Sequence, residues 1–281
     1  MAVVPSLATV RSAFVTDSAF VTDSHSRGKL LETLVPLARR AGDVIMSVYA
    51  TDFEIRGKDD ASPVTEADER AEAVILAGLA ALAPQIPVIA EEAVAAGCIP
   101  EIGERFWLVD PLDGTKEFIR RNGEFTVNIA LIEAGQPVLG VVLAPALGRL
   151  YAGAVGAGAF VEDDRGRRPI RCRLPPDEGL TVVASRSHGD AAALDAFLAG
   201  RKVASRASAG SSLKLCLIAA GEADLYPRLG RTMEWDIAAG HAVLEAAGGR
   251  VSQIDGRPLH YGKPDFANPH FVASGFADPT V

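Results

Sequence analysis

From Lys29 onward, Leu30, Leu34, Leu37, Ala38, Ala41, Ile45 and Val48 recur on one face of a 3.6-residue period, which predicts an amphipathic core helix. A second such helix is predicted to about Leu82. It opens at Thr65 and Asp68, a capping box with Asp in the acid's place, so on periodicity alone Asp68 is a cap residue. Short apolar runs at 86–90, 106–109, 125–132, 138–143 and 150–155 then read as strands, with Gly135-Gln136-Pro137 as a turn. After 175 the pattern alternates. Strands are predicted at 180–184, 223–226, 251–254 and 271–273, and helices at 191–198, 213–220 and 234–247, the last stopped by Gly248-Gly249. Helices followed by a strand meander make the N-terminal half α+β, and the alternation makes the C-terminal half α/β.

The polar run 162–168, with Pro175-Pro176 soon after, marks the expected boundary, giving an α+β domain at 29–172 and an α/β domain at 173–281. Residues 13–18, AFVTDS, repeat at once as 19–24. Two copies are too few for a solenoid, so 1–28 is expected to be a loosely ordered tail with no assigned function.

Composition narrows the possibilities. The chain of 281 residues is 48% hydrophobic, enough for one large core or two smaller ones. A net charge of −8 argues against a nucleic-acid coat, and any anionic ligand must be met by local positive charge or by metal. Cys98, Cys172 and Cys216 are far apart with no C-x-x-C, which fits a reducing cytoplasm better than a disulfide framework or zinc site. No apolar run reaches membrane-spanning length.

Against that acidic background one stretch holds the candidate chemistry, Trp107 to Phe118. Its apolar run ends in Asp110 and Asp113, with Pro111 stiffening the turn between them. Gly114 then allows a tight bend into a short helix whose free amides favour an anion. Carboxylates beside an anion cradle suit a phosphate ester bound through a hard divalent ion. A solvated surface turn is the bland alternative. A calcium loop fails, because its twelfth position falls on Arg121. Glu91-Glu92, after the strand at 86–90, are candidates for the same cluster or simple surface acids. Asp236 is either a first-turn helix acid or a further carboxylate of that cluster. Gly210-Ser211-Ser212-Leu213-Lys214 opens a helix as a plain N-cap or as an anion or ribose site. Ser185-Arg186-Ser187-His188 is a polar strand end, and Lys58 a loop charge. Dinucleotide fingerprint, P-loop, serine-hydrolase elbow and zincin motifs are absent.

Pro63-Val64-Thr65-Glu66-Ala67-Asp68, Glu91-Glu92, Asp110-Pro111-Leu112-Asp113-Gly114-Thr115 and Glu234-Trp235-Asp236, in this order and spacing, resemble the lithium-sensitive, magnesium-dependent phosphatases of the inositol monophosphatase superfamily. The resemblance spans about residues 30 to 275. Within it, Asp113-Gly114-Thr115-Lys116-Glu117-Phe118, the stretch 121–132, Ser185-Arg186-Ser187-His188, Gly210-Ser211-Ser212-Leu213-Lys214 and Leu225-Tyr226-Pro227-Arg228 are similar to bacterial 3′(2′),5′-bisphosphate nucleotidases.

The resemblance implies a layered α-β-α-β-α sugar-phosphatase architecture. It also implies two or three Mg²⁺ ions held by Glu91, Asp110, Asp113, Asp236 and the Leu112 carbonyl. Thr115, paired with Asp68, would activate water, and the Gly114 and Thr115 amides would grip the phosphoryl group. Ser187, His188, Ser211, Lys214 and Arg228 join Glu91, Leu112, Asp113 and Asp236 as expected substrate contacts. The loop 226–231 carries Arg228 and Arg231 and no acid, which favours a second phosphate over a neutral polyol. Hydrolysis of the 3′-phosphate of adenosine 3′,5′-bisphosphate is therefore expected, in the cytoplasm, with a homodimer as the one macromolecular partner in view. The rivals are an inositol or sugar monophosphatase with the same metal site and a catalytically silent metal-binding regulator.

Overall fold

A computed structural model of the chain describes residues 23–57, 63–185 and 191–276. Helix α1 (Ser24–Tyr49) buries Leu30, Leu34, Leu37, Ala38, Ala41, Ile45 and Val48, the face expected from periodicity. It begins at Ser24 rather than Lys29, because Asp23 caps it by accepting the Ser26 N–H at 2.9 Å. Strands β1 (Arg56–Gly57) and β2 (Pro63–Val64) pair as a minimal ribbon before α2 (Glu66–Leu82). The capping box of α2 forms as expected from Thr65 and Asp68.

A seven-stranded sheet follows: β3 (Val88–Ala90), β4 (Arg105–Asp113), β5 (Thr126–Glu133), β6 (Gln136–Ala144), β7 (Arg149–Ala154), β8 (Gly158–Asp163) and β9 (Gly166–Ile170), in sequence order across the sheet. Short helices α3 (Glu91–Ala95) and α4 (Thr115–Ile119) follow β3 and β4. The polar run expected to be a linker is instead the β8–β9 hairpin, with Asp163 opposite Gly166. Its charges are paired: Arg168 meets Asp163 at 2.7 Å and Arg167 meets Glu162 at 3.1 Å. A hairpin of paired charges reads as solvent-exposed linker in a hydropathy pattern.

The second sheet has the order β11-β10-β12-β14-β13, built from β10 (Leu180–Ser185), β11 (Val203–Ala209), β12 (Leu225–Arg228), β13 (Arg250–Gln253) and β14 (Phe271–Ser274). Between its strands run α5 (Ala191–Leu198), α6 (Leu213–Ala219) and α7 (Glu234–Ala246). Edge strand β11 escaped the pattern because residues 204–208 are exposed, so no alternation marks it.

Strand alternation sorts the layers. Trp107, Val109, Val127 and Ile129 pack with α1 and α2, whereas Phe106, Leu108, Ala130 and Ile132 join α6, α7 and the second sheet. Leu194, Phe197 and Leu198 of α5 cover the far face with Val182, Leu225 and Val272. The result is the five-layer α-β-α-β-α stack expected, with α6 and α7 in the middle.

Gly140 of β6 sets how closely α7 approaches. A Cβ there would lie 2.3 Å from the Ala239 carbonyl oxygen, so any side chain must push the helix off the sheet. Gly140→Ala is expected to cost about 1–3 kcal/mol by overpacking, lowering the melting temperature by about 5 °C. An unchanged melting curve would show that the contact is slack.

Candidate active site

Asp110 and Asp113 reach one face of the sheet through a bulge. Their spacing would put them on opposite faces of a regular strand. In the ladder, however, Asp110 pairs with Asn128 and Asp113 with Thr126, so β4 advances from 110 to 113 while β5 moves only from 128 to 126. The strand thus continues through both acids instead of turning between them. Pro111 is tolerated because a bulge asks nothing of its missing N–H. Asp110, only 1% exposed, accepts the Leu112 N–H at 3.0 Å, which fixes the bulge from within.

Gly114, at φ +91°, takes the left-handed turn that launches α4. The helix is anchored by Phe118, whose ring sits 5.0 Å from Tyr49, 4.6 Å from Phe53 and 5.1 Å from Phe125. Glu91 arrives beside the bulge because β3 runs parallel to β4, pairing Ala90 with Val109. Asp236 comes from the first turn of α7, where its Oδ2 accepts the Met233 N–H at 2.8 Å.

These elements surround a cavity of about 400 Å³ lined by Glu91, Asp110, Leu112, Asp113, Thr115 and Asp236 on one side. Gly210, Ser211, Lys214, Tyr226 and Arg228 line the other. Among the described residues no three Asp, Glu, His or Cys side chains close on a single point. The acids ring the space instead, as carboxylates do when they repel one another.

That repulsion is visible in their proton affinities. Burial pushes Asp113 up to about 6, and Glu91 and Glu117 add to the rise, while Lys214 and a hydrogen bond from Ser211 hold it down. Burial, then the charges of Asp113 and Glu91, raise Asp236 well above the usual carboxylate range. Each of these acids becomes easier to ionise if positive charge enters the cavity.

Asp68 holds a second arrangement. Its Oδ2 accepts both the N–H and the hydroxyl of Thr65, each at 2.8 Å, and its Oδ1 accepts the Thr115 hydroxyl at 3.2 Å. The cap reading and the catalytic reading of Asp68 are therefore compatible, one oxygen serving each. With its hydrogen directed at Asp68, Thr115 presents lone pairs elsewhere.

On the opposite wall, Lys214 is 5% exposed and burial lowers its ammonium to about 8. Its Nζ donates to the carbonyls of Ala209 and Ser211 and lies 5.3 Å from the Tyr226 ring centroid. Arg228, also buried, donates from Nε to the Gly230 carbonyl at 3.2 Å and from a terminal nitrogen to that of Arg231 at 2.6 Å. Both cations expected to meet a second phosphate thus also hold their own loops in shape. Ser187, His188 and Lys58 lie outside the described residues. Ser212, from the 210–214 helix opening, and Arg231, from the cationic loop 226–231, also line the cavity, as do Glu117 and Trp235, which the sequence offers only as members of longer motifs.

The profile of the Inositol monophosphatase family matches residues 27–277. A 3′(2′),5′-bisphosphate nucleotidase CysQ of Escherichia coli O157:H7 is 50% identical over 250 residues, covering 87% of this chain and 99% of that protein. Among solved structures, CysQ from Bacteroides thetaiotaomicron, a bacterial member of the inositol monophosphatase family, superposes with a TM-score of 0.75 at 39% identity, covering 89% of this chain and 98% of that one. An inositol monophosphatase from Anabaena (Nostoc) gives a TM-score of 0.70 at 28% identity, covering 89% and 92%.

Proposed function

Because the chain belongs to the inositol monophosphatase family, we propose that it is a magnesium-dependent 3′(2′),5′-bisphosphate nucleotidase that converts adenosine 3′,5′-bisphosphate to AMP and phosphate. The observation that carries the reading is Thr115, hydrogen-bonded to Asp68, on the wall of a cavity whose acids include Glu91, Asp110, Asp113 and Asp236 and which buried Lys214 and Arg228 face.

The donor set fits a hard cation. Glu91, Asp110, Asp113 and Asp236 offer only carboxylate oxygens, the Leu112 carbonyl adds another oxygen, and Asp113 and Asp236 are raised by burial and, secondarily, by neighbouring carboxylates, a cost that positive charge would relieve. These five residues would hold Mg²⁺, which supplies Lewis-acid charge to the phosphate oxygens and makes water acidic enough to attack near neutral pH.

The chain's own groups divide the remaining work. Thr115 Oγ1 takes a proton from the attacking water as its own hydrogen passes toward Asp68 Oδ1. Water oxygen bonds to phosphorus, and the bond from phosphorus to the ribose 3′-oxygen breaks, its electron pair leaving with that oxygen, which takes up a proton from solvent water to become the 3′-hydroxyl of AMP. The Gly114 and Thr115 amides donate to the transferred phosphoryl group. Lys214 and Arg228 supply buried positive charge for the second phosphate, which a polyol phosphate has no use for. No side chain is asked to become covalently phosphorylated.

A substrate panel with Mg²⁺, with and without Li⁺, tests the proposal. The kcat/KM for adenosine 3′,5′-bisphosphate should exceed those for inositol monophosphate and fructose 1,6-bisphosphate by about tenfold or more, the worth of one charge-assisted contact. A preference for inositol monophosphate would overturn it. Among the described residues no helix is long and apolar enough to cross a membrane.

A further inference from the structure

The turn Gly210-Ser211-Ser212 on the cationic wall is seated on the loop that leads into β5. The Gly210 N–H donates to Glu124 Oε2 at 2.8 Å, and Thr126 Oγ1 shares a hydrogen bond with Ser211 Oγ. Ser212 Oγ donates to the Asp236 carbonyl at 2.5 Å, so α7 holds the same turn from another side. Ser211 sits at φ 54°, a left-handed conformation that a serine keeps only where its surroundings impose it. The turn, once seated, fixes the ammonium behind it. Lys214 Nζ donates to the carbonyls of Ala209 and Ser211, at 3.1 Å and 2.5 Å, and so goes where the turn goes.

Glu124 is half-buried and does not itself line the cavity. Its neighbours pin it to the N-terminal half: Phe125, with 0% exposure, packs its ring 5.1 Å from those of Tyr49 and Phe118, and Asn122 Oδ1 accepts the Glu124 N–H at 2.9 Å. Its backbone separates two turns. A Cβ on Gly210 would lie 2.6 Å from the Glu124 carbonyl oxygen, and one on Gly114 would lie 3.3 Å from the same atom. That oxygen is therefore packed between the turn whose amides face the transferred phosphoryl group and the turn that carries Lys214. One residue sets the gap between them. Its carbonyl keeps the two turns apart by contact, and its carboxylate keeps Gly210 from receding.

We infer that Glu124 is a positioning residue that fixes the span between the turn at Gly114 and the turn that carries Lys214, and through that span selects substrates with two phosphates. The inference rests on the proposed function in taking Lys214 as a contact of the second phosphate. A substrate held at both ends feels any change in the distance between the two holds, whereas a monophosphate engages only one of them. Truncating Glu124 leaves its carbonyl against Gly114 and removes only the acceptor for Gly210. The acid side stays in place; the far wall is released. Losing a carboxylate from beside that cationic wall would by itself favour an anion, so positioning and charge predict opposite signs.

The test compares adenosine 3′,5′-bisphosphate with adenosine 3′-monophosphate, which has the same scissile bond and no second phosphate, on the full-length chain at saturating Mg²⁺. Glu124→Ala should lower the ratio of the two kcat/KM values about tenfold, chiefly through KM for the bisphosphate, with the monophosphate value within about twofold of the unmodified chain. Glu124→Gln keeps an acceptor at the same reach and should hold the ratio within about twofold. In the Glu124→Ala background, Lys214→Ala should cost the bisphosphate far less than it does in the unmodified chain, since both substitutions act on one contact. An unchanged ratio in Glu124→Ala, an equal fall for both substrates, a glutamine variant as impaired as alanine, or losses that multiply in the double variant overturn the inference alone. An unmodified chain that hydrolyses the monophosphate as well as the bisphosphate overturns the proposed function with it. Should the alanine variant fail to fold, Glu124→Asp keeps the charge and draws the acceptor back by one methylene; it should lower the same ratio by about threefold or more, and an unchanged ratio there overturns the inference.

Discussion

Asp113→Asn should lower turnover by about a thousandfold, yet make the metal-free protein more stable at neutral pH. Asp113 is held at about 6 chiefly by burial. Between the ordinary carboxylate value of 3.8 and about 6, the folded chain therefore binds a proton that the unfolded chain does not. Stability from this group is greatest below that window, falls as pH rises through it, and at pH 7.5 the charged carboxylate is a net cost. Asparagine removes the charge and keeps a polar oxygen for Ser211. Discounted for the partial exposure of Asp113, the gain is about 1–2 kcal/mol, or roughly 3–5 °C in melting temperature. Calorimetry with a chelator at pH 7.5 should show the variant melting higher, with the gap closing near pH 4. Adding Mg²⁺ should reverse the order, since only the unmodified chain keeps all four acids. A variant that melts lower than the unmodified chain at pH 7.5 without metal would refute the repulsive cluster.

Thr115→Ala should lower kcat by about 10²–10⁴ with little change in KM, the range for losing a positioned proton acceptor. Thr115→Ser keeps the hydroxyl within reach of Asp68 and should recover most of the loss. Thr115 and Asp68 act through one hydrogen bond of 3.2 Å, so adding Asp68→Asn to Thr115→Ala should cost far less than the two single losses multiplied. A KM effect without a kcat effect would move Thr115 from proton handling to ground-state binding.

The buried faces of the helices could be read from the sequence because each packs one stripe. The periodic positions of α1 and the Thr65–Asp68 box of α2 appear in the structure as expected. Most strands with a hidden side are legible in the sequence; β8, which buries only Ala159 and Val161 before its charged end, β9, with its paired charges, and β11, open to solvent, are not. In the sequence the bulge at 110–113 has the appearance of a turn, since Pro111 between two acids has the same signature in either setting. Pairing along the ladder shows how those acids come to share a face. Thr126 and Asn128 did leave a trace in the sequence, polar residues at alternate places in an otherwise apolar strand. That signal acquires meaning only when Asp113 and Asp110 are known to lie opposite. Lys214 and Arg228 show the converse limit. Their charge was plain in the sequence, but the carbonyls that occupy part of their donor capacity were not.

Crystals of the protein grown with Mn²⁺ in place of Mg²⁺, with anomalous scattering measured at the manganese edge, put the ion itself to the test. The expected result is anomalous density coordinated by carboxylate oxygens of Glu91, Asp110, Asp113 and Asp236 beside the Leu112 carbonyl, and its loss in Asp113→Asn. Manganese bound only elsewhere, or density that survives that substitution unchanged, would contradict it.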